Sequence, residues 1–180
     1  MSVTQLMRHV LFVFLLSFVV GLAAHAQTKR ASPPELSAAF SNNEAGYVVN
    51  YPSAWSAETF SGFDLVEFGD EVGFMSIEVV ERSSMPFSMI EILGIVIAEL
   101  DDELVDLEIS DIPSRRIAGQ DSIGTGYRGV DFGYDVVGAV HVFSTDDFVF
   151  IIDYDAEVEM IDHYAPIFDA MLDSFTLSKH

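Results

Sequence analysis

The sequence predicts an α+β fold, with an antiparallel sheet of about six strands covered by helices. Short runs rich in Val, Ile, Phe and Tyr fill the stretch from Arg115 to Tyr154, and Gly and Asp break them at hairpin spacing. Two longer stretches, Met85 to Leu100 and Glu157 to Leu177, repeat apolar residues at three- and four-residue steps instead. Strands, then a helix, then many strands, then a helix is the order of an antiparallel sheet packed against helices.

The elements follow along the chain. Arg8, the apolar run Val10 to Leu22 and the small-x-small pair Ala24 and Ala26 have the layout of a secretory signal peptide cleaved near Ala26. The apolar run is shorter than the ~20 residues a spanning helix needs. Residues 27–45, with Pro33-Pro34 and small polar residues, are expected to form a flexible leader. A single domain is expected over 46–180. Tyr47 to Tyr51 predicts a strand that stops at Pro52, which cannot donate a ladder hydrogen bond. Trp55 is expected to pack back over the core. Phe63 to Phe68 and Gly73 to Glu81 alternate, and the turn at Gly69-Asp70-Glu71 joins them into a hairpin. The helix from Met85 has Pro86 in its first turn, and Met89, Leu93, Val96 and Leu100 give it a buried stripe. Leu104, Leu107 and Ile109 suggest another strand, and Thr145-Asp146-Asp147 marks the clearest later turn. In the last helix Glu157 and Glu159 suit the positive end of the dipole, and Pro166 should bend it or delay its start.

Charge narrows the partners. The chain has 29 acidic and 8 basic residues, a formal charge of −21, and no cysteine. A phosphate backbone attracts basic surfaces, so nucleic acid is not an expected partner, and neither is an anionic membrane surface. Cations and basic protein surfaces fit the charge, but the acids are spread from Glu35 to Asp173, which favours solubility in a salty exterior where self-repulsion is screened. Without cysteine there is no disulfide, lipobox or thiol catalysis.

Gly124-Thr-Gly-Tyr-Arg-Gly129 matches the dinucleotide pattern G-x-G-x-x-G. That pattern needs a helix after it, so that the helix N-terminus faces the pyrophosphate. Val130 to Phe143 is β-branched and aromatic, which makes a strand. The glycines are therefore expected to lie in antiparallel strands where another group approaches closely, and no nucleotide or other cofactor is expected. His141, His163 and His180 lack metal-ligand spacing, and no serine elbow is present. Asp153 and Asp155 begin an alternating acidic run that resembles a calcium loop at first. Val158 stands where the loop needs Gly and Tyr164 where it needs Glu, leaving the pair as weak metal candidates only. No catalytic residue can be singled out.

Tyr51-Pro-Ser-Ala-Trp55, after its strand, and Ser174-Phe175, after the last helix, resemble the PsbP-like family. These are exported proteins whose best-known members are extrinsic photosystem II subunits, with non-photosynthetic relatives in bacteria. The resemblance covers about Gly46 to Leu177. It implies an α/β/α sandwich and a binding or scaffolding role, and it supplies no catalytic or metal-binding residues. The expectation is a non-catalytic exported protein, periplasmic or extracellular, acting through a protein partner. The alternatives are a carrier of a small apolar ligand beneath the Pro86 to Leu100 helix and a hydrolase using carboxylates.

Overall fold

The computed structural model describes residues 35–60 and 64–178. The signal segment, the start of the leader and His180 lie outside the described residues.

An eight-stranded antiparallel sheet forms the centre. Its order is β3 (Ser56–Phe60), β4 (Leu65–Gly69), β5 (Gly73–Glu81), β10 (Phe148–Glu157), β9 (Tyr134–Ser144), β8 (Gln120–Asp131), β6 (Val105–Asp111), and β7 (Arg115–Ile117) adds to β8. A separate three-stranded sheet places β2 (Tyr47–Tyr51) between β1 (Ala38–Asn42) and β11 (Thr176–Leu177). Two helices complete the domain, α1 (Met89–Glu103) and α2 (Ile161–Ser174). The strand set exceeds the expected six or so. β1 falls inside the segment expected to be a flexible leader, because Phe40 docks edge-on against Phe68 at 5.7 Å. β3 also lacked a sequence signal, since its Ser-Ala-Glu-Thr run is exposed and has no apolar face to alternate.

Strand alternation gives the large sheet two faces. Met75, Ile77, Val79, Phe143, Phe150, Ile152 and Ala156 point to one side, where α2 and β2 cover them. α2 contributes Tyr164, Ile167, Phe168, Met171 and Leu172 to this core. Trp55 packs back as expected, 6.0 Å from the Tyr164 and Phe168 rings. Tyr47 stacks on Phe175 at 5.0 Å, which joins the small sheet to the end of α2. Arg115 ties β7 to α2 through Asp169 and Asp173 at 2.8 and 2.6 Å.

α1 packs on the opposite face, over β9, β8 and β6. It starts at Met89, later than the sequence suggests. Ser88 and Glu91 form a reciprocal capping box that fixes the first turn, and Pro86 stays outside the helix. Only Ile92, Val96 and Leu100 are buried, so the helix is a half-exposed cover and not the mostly buried one its apolar composition suggested. Ile90 stands 73% exposed. α2 likewise starts late, at Ile161. Glu157 ends β10 and Glu159 lies in a turn, so Asp162 is the acid in the first helical turn. Pro166 sits inside α2, where the helix simply lacks one N–H donor.

Candidate functional site

The face beneath α1 carries an unusual share of the carboxyl groups. Register places Glu58, Glu67, Ser76 and Asp153 side by side on adjacent strands β3, β4, β5 and β10. The neighbouring rows on the same face contribute Glu78 and Asp155. Asp153 pairs with Val140 and Asp155 with Gly138 on β9, and Gly138 pairs in turn with Tyr127 on β8. α1 brings Glu99 and Glu103 to the same region from above.

Asp153, Asp155 and Tyr127 form its centre. The Tyr127 hydroxyl lies 2.9 Å from Asp153 Oδ1 and 3.2 Å from Asp155 Oδ2. One hydroxyl has one proton to donate, so it cannot satisfy two carboxylates at once. The arrangement closes if a carboxyl holds a proton and donates it back to the Tyr127 oxygen. Asp153 is the group suited to this. Burial, with Asp155 beside it, pushes its pKa up to about 8. Asp155 is raised less, to about 6, chiefly by burial. Burial and the two aspartates hold the Tyr127 phenol well above its usual range, so it stays a donor.

Gly138 makes the contact possible. Tyr127 must cross β9 to reach β10, and Gly138 lies directly in its path. A Cβ there would stand 2.7 Å from Tyr127 Cζ and 2.7 Å from Asp155 Cβ. No real side chain fits that space.

The remaining carboxyls share the same bias. Glu67 and Glu78 are each raised to about 7 by burial, with Glu58 and Glu99 as their second causes. Glu103 is also raised to about 7, by partial burial and then by Glu99 and Asp131. Burial raises Glu99 and Asp131 as well. The described arginines lie away from this cluster. Arg115 binds α2, Arg116 pairs with Asp121 at 2.9 Å, and Arg128 alternates to the other side from Tyr127. Arg82 donates at 2.8 Å to the Phe87 carbonyl ahead of α1. Among the described residues, the face thus presents carboxyl groups with no cation to neutralise them. Burial and neighbouring carboxyls bias these groups toward their protonated forms.

The weak metal candidates Asp153 and Asp155 do come together, but inside β10 and not in a loop. Among the described residues, no three or more His, Asp or Glu side chains converge to hold a metal ion. The Gly124 to Gly129 stretch lies within β8, with no helix after it, as expected. Ile112 closes over it, and a Cβ on Gly124 or Gly126 would come within 3.1 and 3.0 Å of its side chain. His141 is buried on the core face beside Tyr154, and burial, reinforced by Arg115, lowers its pKa to about 4. His163 is exposed on α2. An open depression of about 580 Å³ lies at the far end of the sheet, between Glu44, Arg82, Asp147 and Phe148. It is rimmed by charged side chains and is not beneath α1. No helix among the described residues is long and apolar enough to cross a membrane.

No family model matches the chain, and no curated protein matches it by sequence. Solved structures do match it. Cyanobacterial PsbP (CyanoP) from Synechocystis aligns over 78% of this chain and 91% of its own, at TM-score 0.55 and 18% identity. LpqN of Mycobacterium tuberculosis, described as involved in cell envelope biogenesis, aligns over 74% and 83%, at TM-score 0.52 and 12% identity. PA94 of Pseudomonas aeruginosa, a protein of unknown function and putative regulator, aligns over 79% and 96%, at TM-score 0.51 and 13% identity. At these identities the likeness concerns the fold, and the fold of this chain is PsbP-like.

Proposed function

We propose that this protein is a non-catalytic binding domain exported to the cell envelope, and that its acidic face beside α1 takes a basic protein surface. The carrying observation is the one-sided gathering of Glu58, Glu67, Glu78, Asp153 and Asp155 on a sheet face with no counter-charge among the described residues. Export is supported by the signal-peptide pattern ahead of Ala26. An envelope setting agrees with the fold shared with LpqN.

The raised pKa values give the reading a signature. A bound cation favours the ionised carboxylate, so groups half-protonated near pH 7 must release protons on binding. Calorimetric titration of the protein with oligolysine, in buffers of different ionisation heat, measures this directly. The reading requires net proton release at pH 7 and affinity that collapses in about 1 M salt, where charges are screened beyond ~3 Å. Salt-independent binding without proton release would sink it.

A second reading, hydrolysis by a carboxyl pair, is favoured by Asp153 and Asp155 alone. A protonated carboxyl beside an ionised one is the equipment for general acid catalysis. Turnover of a glycoside that vanishes in Asp153→Asn with binding intact would move the function to that class.

A further inference from the structure

The β8–β9 hairpin turns through Phe132 and Gly133, at φ of 46° and 92°, with Asp131 paired to Tyr134. Two left-handed residues between paired strands make a type I′ turn, whose first position suits Asn or Asp and whose second suits Gly. Phe132 takes the first position. A bulky side chain is strained there, because its Cβ crowds the backbone. Folding gives it nothing in return, since the ring is 82% exposed. Two further apolar side chains stand at the same end of the sheet: Tyr134, 56% exposed, and Val105, 62% exposed and paired with Val130. Asp106 follows Val105 and Glu103 lies two residues before it, and Asp131 and Asp135 lie either side of the turn. Asp131 is close enough to Asp155 and Glu103 to act on both electrostatically, so the tip stands at the end of the acidic face.

We propose that the Phe132 tip is an insertion knob that enters an apolar recess on a basic protein partner, while the acidic face behind it meets that partner's Lys and Arg side chains. This rests on the reading of the acidic face given above. Charge selects the occupant. A second copy brings the same −21, and an anionic lipid surface is repelled by the same carboxylates. A basic surface is attracted, and an inserted aromatic ring is a typical anchor of such a contact.

Phe132→Asn separates binding from folding, because it restores the residue type the turn prefers. Its Tm should equal or exceed that of the native protein. The probes are an amphipathic lysine–leucine helical peptide and oligolysine of equal length. The native protein should bind the amphipathic peptide more tightly, and Phe132→Asn should weaken that binding by about tenfold, the loss of one anchor of ~1.4 kcal/mol, leaving oligolysine unaffected. The double variant Glu67→Gln, Glu78→Gln should weaken both. If Phe132→Asn binds both peptides like the native protein, or the native protein does not prefer the amphipathic one, the knob is overturned and the acidic face stands. If the double variant leaves oligolysine binding unchanged, it is the acidic-face reading that fails. Binding to neutral phosphatidylcholine vesicles that disappears in Phe132→Asn would overturn the protein partner in favour of lipid. A dimer in sedimentation that Phe132→Asn dissolves would overturn it in favour of self-association.

Discussion

On β10, Phe150, Ile152 and Tyr154 point to one side of the large sheet, and Ile151, Asp153 and Asp155 point to the other. The first side meets α2 and a dense set of aromatic rings. The second meets a half-exposed helix and a row of carboxyls. One strand supplies both because successive side chains alternate. The stabilising burial is concentrated on the α2 side, and this leaves the α1 side free to hold ionisable groups that weaken the fold at neutral pH. Like charges directly opposite, as at Glu58 and Glu67, are unfavourable.

The contrast can be tested from its strong side first. Phe168 is fully buried and touches the rings of Trp55, Tyr154 and Tyr164. Phe168→Ala should cost about 3–5 kcal/mol in urea unfolding. A cost under ~1 kcal/mol would mean the α2 side is not where stability resides. Tyr127→Phe comes next. It removes the hydroxyl bonded to both aspartates, and should cost about 1–3 kcal/mol. Because the Tyr127 hydroxyl donates to Asp155 and favours its ionised form, losing it should push Asp155 higher, which carboxyl carbon NMR across pH can follow. A downward move would contradict the shared-proton arrangement.

Glu67→Gln should show the smallest effect, with a sign that depends on pH. The folded protein holds Glu67 protonated up to about pH 7, whereas the unfolded chain ionises it at its ordinary value. The folded state therefore binds more protons between those two points, and stability falls as pH rises through that window. Glutamine removes the loss. The variant should match the native protein near pH 5 and exceed it by less than ~1 kcal/mol near pH 8, given partial exposure. Melting curves that stay parallel at both pH values would remove Glu67 from the coupled face.

Much of the fold was legible in the chain. Gly73 to Glu81 is a strand with the bounds its apolar run implies, and the turn at Gly69-Asp70-Glu71 forms as expected, whereas Val130 to Phe143 is divided by the Phe132-Gly133 turn between β8 and β9. Helix starts were less so, because the apolar letters ahead of Ser88 and the acids ahead of Ile161 suit helices equally well. The capping box at Ser88 and Glu91 was a usable signal for the first. The site was only half legible. Asp153 and Asp155 stand two apart in an apolar run, which marks one face of a strand. Their partnership with Tyr127 depends on register across three strands and on the gap at Gly138, and no spacing in the sequence encodes it. Gly138 was visible only as one of several glycines in a β-rich stretch.

β2 lies between β1, from the beginning of the domain, and β11, after the final helix. The Asn50 N–H bonds Ser174 Oγ at 2.9 Å, across 124 residues of chain. A central strand whose second neighbour is made last cannot finish its ladder during synthesis. Until residue 177 has emerged, Tyr47 lacks Phe175 beneath it, and the α2 side of the core stays open to solvent. The ends of the described domain therefore meet in one small sheet, and that sheet is complete only when β11 has joined it.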